Sequence, residues 1–147
     1  MLQFMWGVDW ILGVPMILAS IAFHVFGLVS IEYSLRSIDA KRRRPRSVAY
    51  YLLLILFGAN LALIMHVFEA TAWAMLYWRI GSLPNFQTAM LFSLNALTSY
   101  GHDGSTLKDD WRLLGAIESM NGVMIFGLTT AYLFNAMSEF RPRGPDR

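Results

Sequence analysis

Residues 84–104 read PNFQTAMLFSLNALTSYGHDG, and the length and composition of this stretch indicate the fold of the chain. Residues 85–97 are mainly apolar and amount to roughly three to four helical turns, too short to cross a bilayer core of about 30 Å. Pro84, just before them, favours the start of a helix. Residues 98–104 then supply hydroxyls, two glycines and a carboxylate. The stretch predicts a re-entrant half-helix followed by an irregular loop.

Longer apolar runs lie on both sides of this stretch, near residues 10–31, 47–75 and 113–137. Each has at least the roughly 20 residues that a helix needs to span the hydrocarbon core. A cleaved signal peptide is the alternative for the first run, but its basic leader should precede the run, whereas here the basic cluster follows it. We therefore expect an all-α integral membrane protein with three transmembrane helices and one re-entrant helix.

The composition agrees with a membrane protein and excludes several kinds of chemistry. Of the 147 residues 56% are hydrophobic and 15% charged, and the mean hydropathy is +0.44. The sequence contains no cysteine, which excludes thiolate metal sites, thiol catalysis and disulfides. No nucleophile, base and orienting acid fall at one depth, and no glycine-rich phosphate loop follows a strand, so we do not expect an enzyme.

Basic residues are concentrated between the first two runs and at the C-terminus. Nine of the twelve lysines and arginines fall there: Arg36, Lys41, Arg42, Arg43, Arg44, Arg46, Arg141, Arg143 and Arg147. In a soluble chain the run at 41–44 would suggest nucleic-acid binding, but between two apolar spans it indicates a cytoplasmic loop instead. We expect no nucleic-acid partner. The N-terminus should lie outside and the C-terminus in the cytoplasm.

The loop at residues 98–104 implies an aqueous path through the bilayer. Irregular backbone at membrane depth is tolerated only where protein buries it or where it lines a watery cavity. Hydroxyls, carbonyls and a carboxylate are the groups that surround a dehydrating cation in a selectivity filter. One chain cannot enclose such a path, so a closed symmetric assembly is expected.

At these residues the chain resembles a known family. Residues 84–134 are similar to the pore unit of the tetrameric potassium-channel superfamily, particularly its small bacterial members. Residues 98–104 align without a gap against that family's Thr-Thr-Val-Gly-Tyr-Gly-Asp, and WRLLGAIE at residues 111–118 resembles the start of its inner helix. The resemblance implies a homotetramer in the lipid bilayer of a bacterial inner membrane, with a fourfold pore, a pore helix at residues 85–97 and an inner helix that lines a cavity.

The resemblance also implies how the chain is divided. The regions expected are a first transmembrane helix (residues 1–35), a basic cytoplasmic loop (36–47), a unit of outer helix, pore helix, filter and inner helix (48–137), and a short basic tail (138–147). The residues expected to form the filter are Thr98, Ser99, Tyr100, Gly101, His102 and Asp103. We call residues 98–103 the filter segment.

The filter segment departs from the family where selectivity resides, because His102, Asp103 and Gly104 stand where Tyr-Gly-Asp is expected. Four copies of Asp103 would form an acidic ring that attracts cations, divalent ions strongly. We expect a cation channel that conducts K⁺ with weakened selectivity, Na⁺, or the divalent ions Mg²⁺ and Ca²⁺. No cofactor and no metal beyond the permeant cations is expected. The alternative is a pore-loop protein that does not conduct and serves as a membrane scaffold or partner subunit.

Polar residues inside the apolar runs are candidates for filter support and gating. Glu118 is expected either to hydrogen-bond behind the filter or to lie at the interface, since a carboxylate inside a membrane faces the protein interior. Asn121 is expected to face the cavity, and Gly122 to act as a hinge or as a close-packing position. For Glu69 we consider pairing with Arg79, with a filter-supporting residue, or solvation at the interface.

Two histidines in the spans, His24 and His66, raise the alternative of haem ligation. The predicted span ends place them about 21 Å and about 9 Å below the outer surface, at about 1.5 Å per residue. That difference argues against a shared haem, and we expect neighbouring helices to satisfy both rings. His102 is a candidate for pH-sensitive conduction, because its unperturbed pKa is near neutrality. The first helix is expected to brace the pore unit.

Overall fold

The computed structural model describes residues 2–42, 45–101, 107–108 and 111–142, with side chains from residue 7 onward in the first helix. Within these ranges all regular structure is helical. The elements are α1 (Leu2–Ala40), α2 (Val48–Arg79), α3 (Phe86–Leu97) and α4 (Arg112–Phe140). In the described residues α1, α2 and α4 are long and apolar enough to cross a membrane, which confirms the three predicted apolar helices. α3, with 12 residues, is too short to do so.

The long helices extend beyond the apolar runs that predict them. α1 ends at Ala40 rather than near residue 35, so Arg36 lies in the helix and not in the predicted loop. α2 ends at Arg79 rather than near residue 75. Hydropathy marks the length that faces hydrocarbon, whereas the helical hydrogen bonds continue into the interfacial layer where charged residues are tolerated.

Local signals at the starts of α2 and α3 account for where these helices begin. The side chain of Ser47 accepts a hydrogen bond from the backbone N–H of Tyr50 at 3.3 Å. The side chain of Asn85 accepts one from the N–H of Thr88 at 2.8 Å, one residue after Pro84. Serine and asparagine are preferred caps because their oxygens satisfy an amide that has no intrahelical partner.

α1 and α4 run side by side in the same direction, and α2 runs antiparallel to both. α1 packs against α4 and α2, and α3 packs against α2 and α4. A core around Trp73, Tyr77, Phe92 and Leu114 fills the end of the bundle that holds α3, which we call the loop end. A second core, around Leu35, Leu54 and Phe140, fills the opposite end.

That opposite end is held by ion pairs, and we call it the basic end. Arg36 contacts Glu32 at 2.6 Å and Glu139 at 3.0 Å, which links α1 to α4. Arg46 pairs with Asp39 and donates to the backbone oxygen of Glu139 at 3.0 Å. The hydrogen bond to the Asp39 carboxylate raises the pKa of Arg46, so this guanidinium stays charged. The described members of the two basic clusters therefore meet at one end of the bundle.

Candidate functional site

The end of α3 is a Schellman motif that leads into the filter segment. The N–H of Ser99 donates to Ala96 O and the N–H of Tyr100 to Asn95 O, both at 3.1 Å. This pair of bonds requires a left-handed residue just after the helix, and Ser99 has φ 54°. Glycine usually occupies that position, because a side chain there costs roughly 1 kcal/mol or more. The chain thus turns sharply out of α3 at Ser99.

The described part of the filter segment is exposed. Thr98, Ser99, Tyr100 and Gly101 are all accessible, and Tyr100 is 79% exposed. Gly101 has φ 95°, which the Schellman motif does not require, so two left-handed residues flank Tyr100. His102 and Asp103 lie outside the described residues. The backbone at residues 98–101 therefore changes handedness within a few residues. No helix in the described part of the chain packs over it.

Glu118 joins three helices behind this segment. Its carboxyl group is fully buried, with Oε2 2.7 Å from the Tyr77 hydroxyl and Oε1 2.5 Å from Ser93 Oγ. Ser93 Oγ also lies 2.8 Å from Ala70 O. Glu118 is therefore buried and bonded to α2 and α3 and does not lie at the interface, and its described hydrogen bonds do not include the filter segment.

Asn121 and Gly122 also face the interior of a single chain. Asn121 is fully buried and donates to Ser20 Oγ of α1 at 3.0 Å, so it does not face an open cavity. At Gly122 an added Cβ would lie 2.1 Å from the Leu97 carbonyl oxygen. The glycine therefore lets α4 approach the end of α3, which is the close-packing alternative and not the hinge.

Deeper in the bundle, His24, His66, Glu69 and Thr129 form a closed ring of contacts. His24 Nδ1 lies 2.9 Å from Glu69 Oε1, and His66 Nδ1 lies 3.3 Å from Glu69 Oε2. On the other side, His24 Nε2 and His66 Nε2 lie 2.9 Å and 3.1 Å from Thr129 Oγ1. We call these four residues the histidine ring. It ties α1, α2 and α4 together, so neighbouring helices supply partners to both histidines, although His66 Nδ1 has no aligned hydrogen bond.

The depth difference predicted for His24 and His66 is wrong. Both imidazoles contact the same two residues, Glu69 and Thr129, and therefore lie at one depth. The observed helices begin at Leu2 and end at Arg79, beyond the span ends from which the depths were predicted. The imidazole centroids are 5.0 Å apart. Both imidazoles face Glu69 and Thr129, so no space for a porphyrin plane lies between their nitrogens. The lack of space, and not a difference in depth, therefore argues against haem ligation.

The interaction considered between Glu69 and Arg79 is not found. The Arg79 guanidinium lies over the Trp78 ring, 5.9 Å from its centroid, while Glu69 is 3% exposed and faces the two histidines. Glu69 also forms the polar floor of an apolar crevice of about 380 Å³ between α1 and α2, with Met16, Phe23 and Phe68 among its walls.

The polar groups form layers along the bundle, and several members were not anticipated from sequence. The layers contain Glu118 with Tyr77 and Ser93, then Asn121 with Ser20, then the histidine ring. The unanticipated residues are hydroxyl-bearing or lie at the start of α1: Ser20, Tyr77, Ser93, Thr129 and the buried Asp9. Serine, threonine and tyrosine are common in membrane helices, so only their position opposite Glu118, Asn121 and the histidines reveals them.

No protein-family model, characterised protein or solved structure matches this chain.

Proposed function

We propose that this protein is a tetrameric cation channel of potassium-channel-like architecture, in which four copies of the filter segment surround one axial path. The observation that carries the proposal is the short helix α3. It packs against α2 and α4 and ends at an exposed backbone, with positive φ at Ser99 and Gly101. A helix end and irregular backbone among membrane-spanning helices call for an aqueous lining or a protein cover.

The dipole of α3 favours cations at this place. Its C-terminal end, at Leu97 and Thr98, carries a partial negative charge of roughly half an elementary charge. Four such ends directed at one axis would attract a cation, as would the carbonyl oxygens of the turn that follows.

An exposed face of α4 supports an assembly of copies. Met120, Val123 and Phe134 are 60%, 64% and 74% exposed, and Gly127 lies between them on the same face. This stripe follows the i, i+3, i+4 spacing of one helix surface. In a fourfold arrangement it would contact a neighbouring copy and line the cavity below the filter segment.

The permeant ions proposed are K⁺ with weakened selectivity, Na⁺, and the divalent ions Mg²⁺ and Ca²⁺. A ring of Asp103 at the outer mouth would concentrate divalent cations more than monovalent ones. The proposed setting is a bacterial inner membrane, with the N-terminus outside and the chain acting as a channel and not as an enzyme. Glu118 supports the segment from behind through Ser93 and Tyr77.

The test is ion flux through the purified protein in liposomes, under separate K⁺, Na⁺, Mg²⁺ and Ca²⁺ gradients. We expect cation flux in the wild type and a large loss in Gly101→Ala, because a side chain at φ 95° strains the backbone while meeting no atom within 4 Å. Gly7→Ala is the matched control, since this helical glycine of α1 also has open space around it.

Asp103→Asn should lower Mg²⁺ and Ca²⁺ flux more than K⁺ flux, because it removes the charge and keeps the shape. Anion flux as fast as K⁺ flux would contradict the proposal. A tetramer that passes no ion under any gradient would instead establish the non-conducting scaffold or partner subunit.

A further inference from the structure

We propose that His24, His66 and Glu69 bind a first-row divalent transition ion of the Zn²⁺ class, at a site within each chain and apart from the axial path. The site lies in the interior shared by α1, α2 and α4. The site was not predicted from the sequence, from which we expected no metal ion other than the permeant cations. Because one chain supplies every ligand, the inference does not depend on conduction.

The positions of the ligand atoms fit such an ion. One ligand atom from each of the three residues can be chosen so that all lie within 4.8 Å of one another. Zn²⁺ bound tetrahedrally at about 2.0–2.1 Å holds its ligand atoms roughly 3.3 Å apart. His66 Nδ1 and Glu69 Oε2 are at that separation, 3.3 Å, and His24 Nδ1 lies 2.9 Å from Glu69 Oε1. The longest of the separations would have to close by at most about 1.5 Å to reach this value.

Two of these atoms lack a hydrogen bond that burial should demand. His66 Nδ1 and Glu69 Oε2 face each other without hydrogen-bond alignment, and neither has another partner among the described residues. Both residues are more than nine-tenths buried, at 8% and 3% exposure. Buried polar atoms are almost always satisfied, so this pair points to a ligand between them. A metal ion would take the lone pairs of both.

Thr129 supplies the outer contacts that a metal-bound histidine pair requires. A histidine that binds a metal through Nδ1 carries its hydrogen on Nε2 and donates it to a nearby acceptor. Here both Nε2 atoms face the Thr129 hydroxyl, at 2.9 Å and 3.1 Å, and that oxygen has two lone pairs to accept them. Without a metal, two neutral imidazoles that both donate from Nδ1 to Glu69 would each have to accept a hydrogen at Nε2. The Thr129 hydroxyl has only one hydrogen to give. The ring is therefore better satisfied with the ion.

The donor set selects the class of ion. Two imidazole nitrogens and one carboxylate suit Zn²⁺, Co²⁺ and Ni²⁺, whereas Mg²⁺ and Ca²⁺ prefer oxygen ligands alone. Histidine ligands from α1 and α2, oriented by Thr129 of α4, would join the first helix to the rest of the bundle. Metal binding then contributes to the folding free energy of the chain.

The experiment is a Co²⁺ titration of the purified full-length protein after chelator treatment, followed by absorption spectroscopy. We expect one Co²⁺ per chain, with the intense visible bands of tetrahedral cobalt, displaced by equimolar Zn²⁺ but not by a large excess of Mg²⁺. His66→Asn and Glu69→Gln should lose these bands. Thr129→Val, which removes only the outer contacts, should weaken Co²⁺ binding about 10–100-fold.

His102→Asn is the matched control, because His102 is the third and last histidine of the sequence. It should keep both the bands and the stoichiometry. Loss of Co²⁺ binding in His102→Asn, or a wild type that binds no stoichiometric Co²⁺, would overturn the site. Helix content by circular dichroism identifies any variant that fails to fold. If a ligand variant fails to fold, the Co²⁺ titrations of the wild type and of Thr129→Val decide whether the metal site exists. The result of the flux assay does not affect this test.

Discussion

Glu118 shows at the scale of one residue how a carboxyl group is accommodated among apolar helices. It is fully buried and has neutral hydroxyl partners, Tyr77 on α2 and Ser93 on α3, rather than a cation. Ser93 is bound in turn to the backbone of Ala70. A group of this kind fixes the positions of three helices, because any displacement leaves a polar atom without a partner in a medium that offers no water.

We predict that Glu118→Ala destabilises the protein by about 1–3 kcal/mol, since it leaves the buried hydroxyls of Tyr77 and Ser93 short of a partner. Glu118→Gln should cost less, because its amide can still bond to both. The measurement is the midpoint of thermal unfolding in detergent. The control is Glu32→Ala at the basic end, where the carboxylate is part-exposed and pairs with Arg36, so the expected change is below about 1 kcal/mol. Equal midpoints for Glu118→Ala and the wild type would contradict this account.

The sequence allows the burial of Glu118, Asn121 and the histidines to be predicted, because a polar side chain in a span must face protein. It does not allow the partners to be predicted. Partners depend on the relative depth of two helices, and the predicted span ends placed His24 and His66 about 12 Å apart in depth, at about 1.5 Å per residue. Thr129 has no signal of its own in the sequence, since a threonine in a membrane helix commonly bonds to its own backbone.

At the scale of elements, the contact between α3 and α4 depends on one small residue. The last turn of α3 approaches α4 at Gly122, where the Leu97 carbonyl oxygen lies 2.1 Å from the position of an added Cβ. Backbone atoms of a capped helix end cannot move as a flexible side chain can. Any larger residue at this position must therefore push the two helices apart.

We predict that Gly122→Ala destabilises the protein by about 1–3 kcal/mol, the usual range for an overpacked interior, despite the better helix propensity of alanine. Gly7→Ala in α1, away from the proposed assembly face, has nothing within 4 Å of the added Cβ and should be neutral or slightly stabilising. Thermal unfolding of both variants in the same detergent measures the difference. If the two glycines respond alike, the close approach of α3 to α4 is incorrect.

The existence and the start of α3 follow from sequence alone, through the length of the apolar segment, Pro84 and the Asn85 cap. Its end at Leu97 also agrees with the predicted segment. The turn that ends it does not follow from sequence, because a Schellman motif is usually marked by glycine and here Ser99 takes the left-handed position. The lengths of α1 and α2 were underestimated because they were predicted from hydropathy. Hydropathy measures the lipid-facing length, and the hydrogen bonds of a helix do not stop where that length ends.

At the scale of the whole molecule, the described residues of the two basic clusters gather at one end. Arg36 of α1 contacts Glu139 near the end of α4, and Arg46 binds the same region. The two clusters are far apart in sequence, so their meeting agrees with an even number of crossings between them, one by α2 and one by α4. Basic residues flanking short loops are retained in the cytoplasm, and the loop end with α3 is then expected to face outward.

The absence of cysteine from the sequence makes this orientation directly testable, because any single introduced thiol is labelled against no background. Gln87→Cys places an exposed thiol near the start of α3, and Lys41→Cys places one just after α1 at the basic end. We predict that a membrane-impermeant maleimide labels Gln87→Cys in intact cells, and labels Lys41→Cys only after the membrane is permeabilised. Both substitutions are at exposed sites, so neither should disturb packing. Labelling of Lys41→Cys alone in intact cells would reverse the topology, and would place the filter segment at the cytoplasmic mouth of the proposed pore.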